Sequence, residues 1–170
     1  INYKDGRQEK IISDKSWKTS FGRIQFNSIY TAEHVDNNKE NKSWKQVIEV
    51  PNPTYKISSQ QLPPVRKVKA YPAVSFVKLS DNTYLYDFGQ NMSGVTELKI
   101  DGPKGTIVRV KHGEQLKDGR LDNSGIEVHY RPKDDKDPFQ TDIYTLNGNG
   151  QEIFSPIFNY KGFRYAEVKI

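Results

Sequence analysis

No cysteine occurs among the 170 residues. Disulfides, thiolate metal sites and cysteine nucleophiles are thereby excluded. The three histidines, His34, His112 and His129, lie far apart in sequence and form no His-x-x-x-His pair, so no transition-metal centre is expected. No apolar run approaches the roughly 20 residues that span a bilayer as a helix, and no leader segment is visible. The chain also lacks a Gly-x-Ser-x-Gly elbow and a Gly-x-x-x-x-Gly-Lys phosphate loop, which removes sequence support for acyl transfer and nucleotide hydrolysis. Basic runs are missing as well. The formal charge is +5, but Lys and Arg are scattered among Asp and Glu, unlike the basic stripe of a nucleic-acid reader. Neither nucleic acid nor membrane is an expected partner.

Helical periodicity is nearly absent, and what replaces it is a succession of strand-like runs. Hydrophobic residues make up 34% of the chain and aromatics 12%. That balance fits an antiparallel β protein with wetted outer faces. Strands are expected near Glu9–Ser13, Gly22–Ile29, Lys45–Val50, Val65–Tyr71, Val74–Leu79, Thr83–Asp87, Gly94–Ile100, Thr106–Glu114, Phe139–Leu146, Glu152–Tyr160 and Phe163–Ile170. The alternation of Ile107, Arg109 and Lys111 with β-branched neighbours is that of a half-buried strand. Turn chemistry falls between these runs, at Asp101-Gly-Pro-Lys-Gly, Asn147-Gly and Lys161-Gly162. Two longer loops are expected, His34–Ser43 and Gly119–Pro138. With no repeat and no composition break, the expectation is one domain over residues 1–170: an all-β, two-sheet antiparallel β-sandwich, a jelly roll. The abrupt start and finish suggest a fragment of a larger multidomain protein.

Few residues invite chemistry. Asp36-Asn37-Asn38 lies in the first long loop, three residues after Glu33, and its oxygens suit a hard cation such as calcium. Asn and Asp are equally ordinary loop formers. A glycosidase needs two carboxyl groups about 5 Å or about 6.5–9.5 Å apart, and nothing in the sequence singles out such a pair. Glu114 shares an expected strand face with His112, a common arrangement on any sheet. Trp17 and Trp44 open strand-like runs and are expected in the core. Tyr30 ends its strand beside the first loop. In Tyr86-Asp-Phe-Gly-Gln-Asn-Met-Ser-Gly94, a strand is expected to run into a turn that carries Asn91.

Taken in order, these segments resemble a known family. Ser13-Asp-Lys-Ser-Trp17, Asn27-Ser-Ile-Tyr-Thr-Ala-Glu33-His-Val-Asp36, Gln61-Leu-Pro-Pro-Val-Arg66, Tyr86–Gly94, His112-Gly-Glu114, Asp142-Ile-Tyr-Thr-Leu146 and Phe158-Asn-Tyr-Lys-Gly-Phe-Arg-Tyr165 are similar to the accessory β-domain of bacterial α-L-rhamnosidases. Ala32 replaces the glycine of the family's usual Gly-Glu pair, and Val35-Asp36-Asn37-Asn38 replaces Tyr-Asp-Ala-Arg. The resemblance implies a jelly-roll domain preceding an (α/α)6 catalytic barrel in an inverting glycoside hydrolase. The barrel would carry the catalytic acids, so no catalytic residue is expected in this chain. In some members such a domain binds L-rhamnose, or a rhamnosylated glycan, through calcium. By motif position the resemblance implies Asp36, Asn37 and Asn91 as metal ligands. It implies the same three with Glu33 as sugar contacts, and a carbonyl near Val95 or Thr96. The alternative it leaves open is a structural domain bracing the catalytic barrel of the same parent chain. It further implies a bacterial polysaccharide-degrading parent, periplasmic or extracellular.

Overall fold

The computed structural model describes residues 1–29, 31–51, 54–127 and 138–170. Those residues form two compact units. One comprises Ile1–Phe21 and Asn41–Val65, the other Gly22–Glu40 and Arg66–Ile170. The chain passes between the units three times, after Phe21, Glu40 and Val65, with no change of composition to mark the crossings.

The first unit is sparse in regular structure. It contains β1 (Lys18–Thr19) paired antiparallel with β4 (Lys45–Gln46) and an isolated bridge between Asn2 and Gln8. The strands expected at Glu9–Ser13 and Val65–Tyr71 do not form. Trp17 and Trp44 are 50% and 56% exposed rather than buried. The Trp17 indole N–H nevertheless donates to Ile12 O at 3.0 Å, which keeps its polar edge satisfied.

The second unit is a β-sandwich segment. Its strands are β2 (Ile24–Asn27), β3 (Glu33–Asp36), β5 (Ser75–Ser80), β6 (Thr83–Gly94), β7 (Leu98–Ile100), β8 (Ile107–Gly113), β9 (Gln115–Lys117), β10 (Arg120–Asp122), β11 (Thr141–Thr145), β12 (Glu152–Phe154) and β13 (Lys161–Lys169). Seven of them form one sheet in the order β2-β3-β11-β8-β13-β6-β5. β7 and β12 make a separate antiparallel pair, and β9 and β10 form a short hairpin. The all-β class stands as expected. One pair in the large sheet is parallel, β11 alongside β3.

Period-two alternation decides which face is buried. Val108, Val110 and His112 of β8 point inward, and their neighbours Arg109 and Lys111 do not. Across the ladder Val108 faces Tyr144 and Val110 faces Val168, so apolar residues align in rows. Phe154 of β12 with Leu98 and Ile100 of β7 closes the second layer over Val35, Val108, Val110, Tyr144, Leu146, Ala166 and Val168. The first expected loop overlaps β3 at His34–Asp36, and the second contains β10 and a single helical turn, Ser124–Glu127. Tyr30, His129 and the rest of that second loop as far as residue 137 lie outside the described residues.

Leu146 has no exposed surface and belongs to this core. Leu146→Ala should cost about 2–5 kcal/mol, the range for truncating a buried leucine. Urea unfolding would register it as a lower midpoint at unchanged slope; a shift below about 0.5 kcal/mol would contradict the packing described.

Candidate functional site

The core face of the large sheet changes character along its length. At one end it is apolar; at the other it buries Glu33, Asp142, His112 and Lys161. The pairing explains the gathering. Asp142 faces Val110 on β8, His112 faces Ala166 on β13, and Glu33 and Lys161 are the first residues of β3 and β13. Lys161 Nζ donates to Asp142 Oδ1 and Oδ2 at 2.8 and 2.9 Å and to Asn159 Oδ1 at 2.8 Å. Asp142 Oδ1 also accepts the Glu33 backbone N–H at 2.8 Å. The Glu33 carboxylate accepts the backbone N–H groups of Ile157 and Phe158, at 3.1 and 2.9 Å through Oε2. Each of these charges therefore has a partner, as a buried ion requires. Burial lowers the Lys161 pKa, and Asp142 and then Glu33 oppose that pull.

His112 completes the cluster. Its Nε2 lies 3.1 Å from Thr96 Oγ1 and its Nδ1 3.2 Å from Gln140 O, with the ring edge-on to Phe163. Burial pushes its pKa from 6.5 down to about 4, with Asp142 pulling upward and Lys161 downward. The neutral imidazole is therefore the form that fits. An open cleft of about 300 Å³ adjoins this end, with Glu114, Gln140 and Tyr160 among its lining residues. Glu114 does not share a face with His112: β8 ends at Gly113, and Glu114 is exposed while His112 is buried. Its carboxylate occupies room left by Gly162, where a Cβ would come within 3.0 Å of Oε1.

A third buried carboxylate, Glu152, anchors the opposite end. Glu152 Oε2 accepts from Asn37 Nδ2 at 2.7 Å and from the Tyr144 hydroxyl at 2.9 Å. Its Oε1 accepts the N–H groups of Asn147 and Gly148 at 2.9 and 3.1 Å. Burial alone would raise the Glu152 pKa, but these donors outweigh it and the pKa is lowered. Burial and the same carboxylate push the Tyr144 hydroxyl up to about 12. Asn37 Nδ2 also hydrogen-bonds the Tyr144 oxygen.

The residues expected at a sugar or calcium site separate into these structural roles. Glu33 is 1% exposed and holds the backbone between β12 and β13. Asn37 bridges Glu152 and Tyr144. Asp36 Oδ1 accepts from the Asn38 backbone and side-chain amides at 2.9 and 3.1 Å, a turn that ends β3. Asn91 is exposed on β6, and Thr96 is buried against His112. β3 and β6 are separated by β11, β8 and β13, so they lie roughly 19 Å apart across the sheet at ordinary strand spacing. They also differ in level. Asp36 is level with Thr145, which faces Ile107, whereas Asn91 precedes Met92, which faces Phe163 at the far end. The fold does not bring Asp36 and Asn37 to Asn91. Among the described residues no group of three or more His, Asp or Glu side chains could hold a metal ion.

The expected turn at Asn91 is also revised. β6 runs unbroken from Thr83 to Gly94, with an irregular register opposite Arg164. Asp87 accepts a two-pronged pair from Arg164, Nε and Nη2 each at 2.9 Å, and the Gly89 N–H at 2.7 Å. The Arg164 hydrogen bonds hold the Asp87 carboxyl below its ordinary pKa. Lys161 and Arg164 were not foreseen as key residues. The Lys161-Gly162 pair read as a turn because a lysine beside a glycine carries no signal of burial.

A seven-stranded sheet and a second strand pair closed over a small apolar core, with the buried acids Glu33, Asp142 and Glu152 held by protein donors, define a β-sandwich domain. Residues 77–170 match the family described as bacterial alpha-L-rhamnosidase concanavalin-like domain, and residues 1–69 match the alpha-L-rhamnosidase N-terminal domain. The chain belongs to the bacterial alpha-L-rhamnosidase family. It is 32% identical to alpha-L-rhamnosidases of Formosa agariphila and of Streptomyces avermitilis, across 99% of its own length but 18% and 17% of theirs. It therefore spans less than a fifth of these relatives. The solved alpha-L-rhamnosidase from Dictyoglumus thermophilum superposes with a TM-score of 0.85 at 33% identity, over 98% of this chain and 19% of that one. The Streptomyces avermitilis enzyme, solved with L-rhamnose, gives 0.85 at 31% identity, over 99% and 17%.

Two outcomes follow from the buried cluster. Lys161→Met leaves Asp142 charged and unpaired and should cost about 3–5 kcal/mol, whereas the Asp142→Leu, Lys161→Met double variant should cost less. Equal losses, measured by denaturant unfolding, would deny the pair its role. For His112, the unfolded chain takes up a proton near pH 6.5 that the folded chain refuses until about pH 4. Unfolding binds protons in that window, so stability is complete above it and falls as the pH is lowered through it. His112→Gln should flatten this slope in a pH series of unfolding midpoints.

Proposed function

We propose that this chain is a non-catalytic β-domain of an α-L-rhamnosidase, which braces the parent's catalytic domain. One observation carries the reading. The buried carboxylates Glu33, Asp142 and Glu152 are each occupied by protein donors. A glycosidase acid must be free to pass a proton to a leaving oxygen, and a nucleophile or base must reach sugar or water. Carboxylates held by backbone N–H groups and a lysine do neither. The parent supplies the hydrolysis, with a terminal L-rhamnoside as its substrate class.

A calcium-assisted rhamnose site at Asp36, Asn37 and Asn91 is the competing reading. It draws support from the family and from a relative solved with L-rhamnose. It requires a cation to span strands four positions apart, so the bracing reading is the better supported.

Incubating the 170-residue chain with an aryl α-L-rhamnoside should release no rhamnose at high protein concentration, while the parent enzyme does. Calorimetric titration with millimolar L-rhamnose should give no heat, with or without calcium. Rhamnose release by the chain would sink the non-catalytic reading. Calcium-dependent heat that vanishes in Asp36→Ala would replace bracing with sugar capture.

A further inference from the structure

The two edges of the seven-stranded sheet are built differently. β2, at one edge, has four residues, a register irregularity between Ile24 and Phe26, and exposed polar side chains at Gln25 and Asn27. Those are the devices that blunt an edge against further pairing. β5, at the other edge, has six residues. Its register is regular from Ser75 to Lys78 and shifts only beyond. Among the described residues its sole strand partner is β6.

Exposure along β5 is unusual for an edge. Phe76 is 63% exposed and Val77 57%, and Val74 just before the strand is 68% exposed. Adjacent strand residues point to opposite faces. Phe76 follows the core-face row through Tyr86, on which its ring stacks at 5.7 Å. Val77 follows the outer row through Leu85. Both faces of the same edge are therefore apolar and open. A helix or a second sheet laid on one face would cover one of the two side chains and leave the other wet. A strand added alongside β5 would reach both.

The backbone agrees. Ile170 N–H donates to Asn82 O in register with the Lys169–Thr83 pair, so the backbone groups of Tyr84 and Tyr86 serve β13 and those of Leu85 and Asp87 face β5. Ser75 and Val77 therefore bond inward to β6, and the N–H groups of Phe76 and Lys78 point away from it. These are the donors that an added strand would take up.

We propose that β5 receives an additional β-strand contributed by the remainder of the same parent polypeptide, an apolar segment that lies along Ser75–Lys78. The inference rests on the chain being one part of a longer rhamnosidase. The relatives supply the reason to look within that polypeptide, since more than four-fifths of each lies outside the matched region. The register shift beyond Lys78, together with the Lys78–Asp81 ion pair at 3.1 Å, ends the receptive stretch on its C-terminal side.

Amide hydrogen exchange on the parent enzyme and on the 170-residue chain tests this. The Phe76 and Lys78 amides should exchange at least about a hundredfold more slowly in the parent. Phe76→Lys and Val77→Lys, made separately in the parent, should each restore fast exchange at both amides. Equal rates in parent and chain would overturn the proposal. Loss of protection with Phe76→Lys alone would also overturn it, in favour of a layer on one face. Protection in the chain alone that rises with its concentration would replace the proposed strand with a second copy. Rhamnoside hydrolysis, read on the same samples, reports separately: activity in the chain would refute the non-catalytic reading and leave the amide result standing.

Discussion

The ion pair between Asp142 and Lys161 is the interaction on which the sandwich depends. Asp142 is fully buried and the Lys161 side chain is 4% exposed. Removing two such charges from water costs several kcal/mol each, and their attraction offsets this only with good geometry and satisfied lone pairs. Both conditions hold here. One carboxylate receives the lysine on both oxygens and the Glu33 amide on one. It thereby ties β3, β11 and β13 at a single point. A slip of one residue in β11 would turn Asp142 to the outer face and strand Lys161 in the core. The pair thus penalises wrong register more than it rewards the right one. That matters in a sheet with a parallel pair at β3 and β11, where no short hairpin sets the alignment.

Glu152 plays the matching part at the other end. Its four donors come from the loop after β3, from β11 and from the Asn147-Gly148 turn. Gly148 has a positive φ of 78°, and a Cβ there would lie 2.5 Å from the Lys104 backbone nitrogen, so the turn admits only glycine. With both ends closed by carboxylates, the small apolar core between them need not supply all the specificity. The same closure occupies the three buried acids, Glu33, Asp142 and Glu152, with amides, a hydroxyl and a lysine.

Much of the fold was legible in the sequence because period-two alternation is strong in β8 and β13, where Val108, Val110 and Val168 alternate with charged neighbours. β3 was not legible. Glu33-His-Val-Asp36 reads as a polar loop, yet Glu33 and Val35 point inward. Glu33 is buried only because Ile157 and Phe158, more than a hundred positions away, present their amides to it. No local pattern encodes that. The expected calcium and sugar residues failed to converge for a related reason. Motif order along the chain says nothing of sheet order, and three strands were placed between β3 and β6 by segments that follow both.

The Tyr86–Gly94 segment sharpens the distinction between a motif held for packing and one held for a ligand. Every distinctive residue in its first half has a partner within the fold. Asp87 receives Arg164 and the Gly89 amide, and Phe88 packs edge-on against Phe163 at 5.5 Å. Gly89 takes a positive φ of 77° where a Cβ would press to 3.3 Å on Val74. Val74 in turn opens the approach to β5 through its hydrogen bond to Asp87 O. The segment therefore sets the geometry of the free edge. Asp87 fixes the bulge by binding Arg164, the bulge admits Gly89 beside Val74, and Val74 aligns the strand that follows. This chain of packing constraints holds the motif without a ligand, and it ends at the exposed edge of β5.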